Sequence, residues 1–465
     1  MSSNGGEHMS SETRPNFIIF YTDDQGYGDL SCMGATDFAT PHLDALAASG
    51  VRFTNWYSNS PVCSPSRASV LTGKYPIRAG VRSILAGHRQ ATGLPRETPT
   101  IATVLRREGY RTAMFGKWHL GVAETCRPHH HGFDEWFGFL AGCIDYYSHI
   151  FYWGQGRGID PVHDLWHNNE EVWDNGRYFT EMITERVVAY LDRIAESGND
   201  APFFLFVPYS APHYPMHAPQ KYLDRFGNLP WDRQIMAAML AAVDDSVGEI
   251  LAALERHDMR NKTFIFFQSD NGPSRETRNW LDGTADPYYG GTTGKLKGHK
   301  FSLYEGGIRM PALMSWPARI PEGQVMDRIG AAMDIFPTFL TAAGGDPGAY
   351  ELDGRDLLDM VVYGADSPHD EIFWEMGDQT AVRRGKWKLV LNGQLVEGAP
   401  PEDAVHLADM EADMGERHNL KDEYPELAGI LKAAAEAWRK EMEAIWRDRW
   451  DPDEPDSRPL TGHHR

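Results

Sequence analysis

The sequence predicts an α/β fold: a large, mostly parallel (mixed) sheet flanked by helices, then a small C-terminal antiparallel sheet with one long helix. Three observations carry this expectation. Residues 17–21 (Phe-Ile-Ile-Phe-Tyr), 203–207 and 264–267 are unbroken apolar runs, the pattern of strands covered on both faces. Amphipathic stretches at 100–109, 178–194 and 235–254 lie between the strands, as crossover helices do. Beyond about Tyr363 the runs shorten, at 371–374, 380–383, 387–391 and 404–407, and Glu426 to Ile445 reads as one long amphipathic helix. The expected division is a polar tail over 1–13, a main α/β domain over 14–362 and a small α+β subdomain over 363–465, with no internal repeat.

Composition bounds the function. At 465 residues, 42% hydrophobic and 12% aromatic, the chain can bury a large core. A formal charge of −21 disfavours nucleic acid and anionic membranes, so an anionic ligand needs a local positive pocket. Four cysteines (Cys32, Cys63, Cys126, Cys143) are too few for a disulfide scaffold. No apolar leader or membrane-length run is visible. As written the chain is expected to be soluble and cytoplasmic, or periplasmic or secreted if a leader was removed.

Taken in order, the strand over 17–21 stops at Thr22-Asp23-Asp24, two carboxylates at the carboxyl end of a buried strand, where open α/β sheets place their sites. Residues 51–57 read as one strand leading to Cys63. Ser64 suits an N-cap, Pro65 the first helical position and Gly73 the stop, so Cys63 is expected at the positive mouth of a short helix with Arg67 one turn in. A strand over 111–115 delivers Lys117 and His119, which an extended backbone would point the same way. The tract His129-His130-His131 resembles a metal tract, but consecutive imidazoles do not readily converge on one ion, and packing is the expectation. Residues 142–173 are dense in aromatic and polar groups, among them Asp145, Tyr147, His149 and Arg157. The strand over 202–207 ends in a proline-held segment carrying His213 and His217. The strand over 263–269 ends in Asp270-Asn271, so two strand ends together offer three carboxylates and an amide. Such hard oxygen ligands favour Ca²⁺ or Mg²⁺ over zinc. The loop over 273–298, which includes Trp280, is too long for a mere connection, and Lys300 follows it.

Cys63-x-Pro65-x-Arg67, continued by Ala68-Ser69-x-Leu71-Thr72-Gly73-Lys74-Tyr75-Pro76, resembles the signature of the type I sulfatases of the alkaline phosphatase superfamily. The segments 116–121 (Gly-Lys-Trp-His-Leu-Gly), 131–134, 299–311 and 333–338 are similar to further segments of that family, and Asp145-Tyr146-Tyr147-x-His149 is similar to its galactosamine-4-sulfatase branch.

The resemblance implies a sulfuric ester hydrolase in which Cys63 is oxidised to Cα-formylglycine, whose hydrate attacks sulfur. It implies that Arg67 steadies the hydrate, that Lys117 and Lys300 hold the sulfate, that His213 protonates the leaving oxygen and that His119 helps expel sulfate. It implies a divalent metal, Ca²⁺ with Mg²⁺ as the alternative, on Asp23, Asp24, Asp270, Asn271 and residue 63. The expected partners are a formylglycine-generating system and a sulfated small molecule or saccharide. Asp145, Tyr147, His149, Arg157, His217 and Trp280 are the expected substrate contacts. Three other readings stay open at this point: a formylglycine-dependent phosphodiesterase or phosphonate monoester hydrolase, a non-catalytic sulfated-glycan-binding relic, and a hydrolase using the Cys63 thiol itself.

Overall fold

The apolar runs become the central strands. The structure, a computed structural model, describes residues 14–152, 161–275 and 289–450. Ten strands form the main sheet. In chain order they are β1 (Asn16–Thr22), β2 (Val51–Phe53), β3 (Arg111–Lys117), β4 (Glu135–Phe139), β5 (Trp166–His167), β6 (Glu170–Glu171), β7 (Phe203–Pro208), β8 (Thr263–Ser269), β9 (Ala312–Ser315) and β10 (Gln324–Met326). Across the sheet they run β10-β2-β9-β8-β1-β7-β3-β4-β5-β6. The five strands from β8 to β4 are parallel, and antiparallel pairs lie towards both edges, which makes the sheet mixed. Every residue of β1, β7 and β8 is buried. Fully burying one such Phe or Ile contributes roughly 1.5–3 kcal/mol, which is why these runs tolerate no alternation of polar residues.

Register decides where the chemistry lands. Thr22 pairs with Ser269 and Tyr21 with Pro208, while Phe206 pairs with Met114 on β3. The next residues along these parallel strands therefore emerge side by side at one carboxyl edge: Asp23 and Asp24, Asp270 and Asn271, the segment to His213, and Lys117 at the end of β3. Helices Phe179–Glu196 and Trp231–Arg256 pack against one another on one face.

The strand expected over 51–57 is two strands. Val51–Phe53 stays in the main sheet, whereas Trp56–Tyr57 pairs with Gly330–Ala331 in a separate ladder. At the break Thr54 N donates to the Met326 carbonyl and the Asn55 amide to that of Asp327, so the chain leaves the sheet on its way to Cys63.

Glu371–Met376, Gln379–Arg384, Trp387–Gly393 and Asp403–Asp409 form a four-stranded antiparallel sheet in chain order, and helix Pro425–Trp450 packs on it. This sheet shares an apolar cluster (Tyr57, Tyr75, Tyr304, Trp374, Val390) with segments flanking Cys63, and the Trp374 indole donates to the Ser58 carbonyl at 2.8 Å. Beside it, Lys388 lies 2.9 Å from both Glu305 and Glu416, all three without exposed surface. Asp334 accepts from the backbone of Ala331 and Arg355, which ties these two segments together. No helix among the described residues is long and apolar enough to cross a membrane. The tail over 1–13 lies outside the described residues.

Candidate active site

Cys63 is the first residue of helix Cys63–Thr72, not its outer neighbour. Val62 is the N-cap, and Gly73 ends the helix in the left-handed region at φ 67°. Ser64 does not cap. It sits inside the first turn, where its hydroxyl accepts from Leu85 N at 3.1 Å, so a tertiary bond outbids the local one. All ten residues of this helix are buried, Cys63 with 2% of its surface exposed.

Around Cys63 the strand ends supply a dense set of charges. The thiol lies 3.6 Å from Asp23 Oδ1. Lys117 pairs with Asp23, and Lys300 pairs with Asp24 at 2.9 Å. Arg67 lies 2.9 Å from Asp270 and 3.7 Å from Asp23, donates to the Lys117 carbonyl, and sits over the Tyr21 ring. These six side chains have at most 6% exposure. Three carboxylates against three cations give no net charge, so the cluster attracts an anion strongly only once a further cation joins it.

The donor set fits such a cation. Burial, and then the charge of Asp23, push Asp270 up to about 7 against the opposing pull of Arg67 and Lys117. Burial would also raise Asp24, but Lys300 and His213 outweigh it and hold it below its ordinary value. The Asn271 amide nitrogen donates to Asp24 at 2.7 Å, while its buried Oδ1 has no hydrogen-bond partner. Ligand atoms of Asp23, Asp24, Cys63 and His213 lie within 4.8 Å of one another. Clustered carboxylate oxygens plus an orphaned amide oxygen suit Ca²⁺ or Mg²⁺.

Two imidazoles flank the cluster. His213 Nδ1 donates to the Tyr214 carbonyl at 2.6 Å, and Nε2 faces Asp24 at 3.6 Å. Burial pushes His213 down to about 3 despite Asp24, so the resting ring is neutral with its proton on Nδ1. Burial and the charges of Lys117 and Arg67 hold His119 well below its ordinary value. Its Nε2 faces the Leu85 carbonyl at 3.3 Å, and its buried Nδ1 has no hydrogen-bond partner. His119 has φ 54°, so the backbone from Lys117 is not simply extended. Gly142 makes room for it, since a Cβ there would stand 2.9 Å from the ring. Burial also pushes the Cys63 thiol up, away from thiolate.

The expected substrate contacts fare unevenly. Asp145 accepts from the backbone of Tyr147 and Ser148 and lies 3.3 Å from His217 Nδ1. Tyr147 packs on His217 and Tyr178 and stays half-exposed. His149 has no exposed surface, its Nε2 meets the Arg177 carbonyl at 3.2 Å, its ring lies edge-on to Phe179, and its buried Nδ1 has no hydrogen-bond partner. Arg157 and Trp280 lie outside the described residues. Sequence reading also missed positioning groups. The Tyr146 hydroxyl donates to the His213 carbonyl at 2.9 Å, and the Ser66 hydroxyl to that of Asp270 at 2.6 Å. Leu85 contributes only backbone, which no side-chain pattern signals.

A family model described as Sulfatase matches residues 15–345. The chain belongs to the sulfatase family. It is 31% identical to arylsulfatase J of Mus musculus over 494 aligned residues, covering 96% of this chain and 79% of that one. It is 35% identical to human N-acetylgalactosamine-6-sulfatase, covering 78% and 69%. The crystal structure of Ps i-CgsB in complex with k-i-k-neocarrahexaose matches this sulfatase with a TM-score of 0.81 at 29% identity, covering 95% and 98%. The reaction class follows: this sulfatase is a sulfuric ester hydrolase.

Proposed function

We propose that this sulfatase cleaves a sulfate monoester of a saccharide, using formylglycine made from Cys63 and a divalent metal held by Asp23, Asp24, Asp270, Asn271 and residue 63. The observation that carries this reading is the convergence of three buried carboxylates and three buried cations on the first turn of the Cys63 helix. When bound, the metal supplies Lewis-acid charge at the sulfate oxygens, and the hydrated aldehyde supplies the attacking oxygen. Lys117 and Lys300 then turn from the carboxylates towards the sulfate, and Arg67 holds Asp270 and the oxygen on residue 63 in place. His213 needs a second proton, on Nε2, to serve the leaving alcohol, and the arriving anion favours that charged form. His119, neutral at rest, accepts a proton in the step that frees sulfate. The raised thiol of Cys63 speaks against an ordinary thiolate nucleophile.

Burial of the whole helix has a consequence for maturation. Residues 63–72 are inaccessible once folded, so a formylglycine-generating partner has to act before this region closes. The reading takes 14–362 as the catalytic domain and 363–465 as the subdomain that supports it.

Activity on a sulfated saccharide, an aryl sulfate and a phosphate diester tests the reading. The expected order of kcat/KM is saccharide, aryl sulfate, diester, and a preferred diester would overturn it. Asp23→Ala and Asp270→Ala are expected to lower retained metal to well under one ion per chain, measured by elemental analysis after dialysis, and unchanged content would place the metal elsewhere. His217→Ala frees Asp145 and removes a ring that packs on Tyr147. It is expected to raise KM for the saccharide by about tenfold, the worth of one hydrogen-bonded contact of roughly 1.4 kcal/mol, with little change for an aryl sulfate. Equal losses on both substrates would assign these residues to packing.

A further inference from the structure

We propose that Glu124, His129 and His130 form a second cation site, separate from the catalytic one, that takes Zn²⁺ or another borderline first-row divalent ion. The three residues lie on two consecutive 3-10 turns, Glu124–Cys126 and Pro128–His131. The tight second turn does what consecutive histidines seldom achieve. The rings of His129 and His130 lie tilted against each other with centroids 3.9 Å apart and planes 43° apart, and both Nε2 atoms face Glu124 Oε1, at 3.4 and 3.0 Å. Donors on a tetrahedral ion with bonds of about 2.1 Å stand about 3.4 Å apart, so the side chains need little movement to close on one ion. All three donor atoms lie within 4.8 Å of one another. His129 and His130 are 26% and 15% exposed and Glu124 is 64% exposed, which gives an ion a path from solvent and leaves water the fourth position.

The chemistry differs from that of the catalytic cluster. Two imidazole nitrogens and one carboxylate suit zinc, where the cluster at the strand ends is built of hard oxygens. Arg127, a cation between the two turns that acts on His129, has its guanidinium over the Trp166 ring, 4.2 Å from the centroid. His131 takes no part. It is buried beside Trp118, with ring centroids 5.5 Å apart. Trp118 also donates from its indole to the Cys126 carbonyl at 2.9 Å, so it touches both turns while standing between Lys117 and His119 in the chain. An ion on Glu124, His129 and His130 would clip together the two turns that hold Trp118.

Equilibrium dialysis with micromolar Zn²⁺, on protein stripped with chelator and refilled with millimolar Ca²⁺, tests the site. The wild type is expected to hold one more zinc per chain than the double variant His129→Ala/His130→Ala. Glu124→Gln, which alters only an exposed carboxylate, is expected to bind zinc at least about tenfold more weakly. Zinc at about 100 times its Kd is expected to raise the Tm of the wild type by about 3 °C and not that of the double variant. Equal zinc content in wild type and double variant, unchanged zinc affinity in Glu124→Gln, or no zinc on the wild type would each overturn the proposal.

Discussion

Cys63→Ser is expected to fold as the wild type does and to lose at least about 10⁴-fold in kcat/KM on any sulfate ester, the scale seen when a catalytic nucleophile is removed. The substitution changes one atom in a buried position whose thiol makes its hydrogen-bond contact with Asp23 at 3.6 Å, a contact a hydroxyl can keep. Packing of the helix is therefore kept, and the Tm is expected within a few degrees of the wild type. What is lost is the precursor of the aldehyde. A serine hydroxyl in the same place has one oxygen and no second hydroxyl with which to expel sulfate, so any adduct it forms persists. Cys63→Ala removes even that oxygen and is expected to be as inactive. Comparing kcat/KM and Tm for both variants separates a chemical role from a structural one, and wild-type turnover in either, free of contaminating sulfatase, would refute the role of this residue.

The second large effect lies away from the reacting atoms. Lys388→Met is expected to destabilise the protein by about 3–5 kcal/mol, the cost of leaving buried charge without its partner. The ammonium sits 2.9 Å from Glu305 and from Glu416, and none of the three side chains has exposed surface. Glu416 Oε2 also accepts from Glu305 N at 2.6 Å, and Glu305 Oε2 accepts from the Tyr57 hydroxyl at 2.7 Å and from Arg309 at 3.0 Å, so neither carboxylate can swing out to solvent cheaply. Burial already pushes Glu416 up to about 7, with Glu305 adding to the rise and Lys388 opposing it. Without Lys388 the rise is larger. A carboxyl whose folded value lies above its unfolded one, ordinarily about 4.5, costs stability as pH climbs through that interval. The deficit of Lys388→Met is thus expected to be smaller at pH 5 than at pH 8, as measured by denaturant unfolding at each pH. A deficit that does not grow with pH would show that packing of the lysine stem, not charge, is what matters there.

The sequence made some of this legible because the fold needs unbroken apolar strands at its centre. β1, β7 and β8 stand out for that reason, and the carboxylates that follow them inherit their place at one sheet edge through the parallel register. Lys117 was readable in the same way, as the last residue of β3. The start of the Cys63 helix was not. Ser64-Pro65 carries a good local capping signal, and a bond from the distant Leu85 amide overrides it. The burial of His149 was equally illegible: its backbone N–H closes a turn on the Asp145 carbonyl, and the ring has no exposed surface. The convergence of His129 and His130 depends on Glu124 in the preceding turn, which a reading of the histidine tract alone does not include. The Lys388 network joins residues far apart in the chain, and no local pattern announces it.

The central claim is that an aldehyde at position 63 performs the attack. Its most direct test is to prepare the protein with and without a co-expressed formylglycine-generating system and measure, in each preparation, sulfatase activity and the fraction of chains whose peptide 61–74 carries the aldehyde by mass spectrometry. Activity per chain is expected to rise in proportion to that fraction and to vanish as it approaches zero. Full activity from a preparation in which every chain retains the Cys63 thiol would contradict the account.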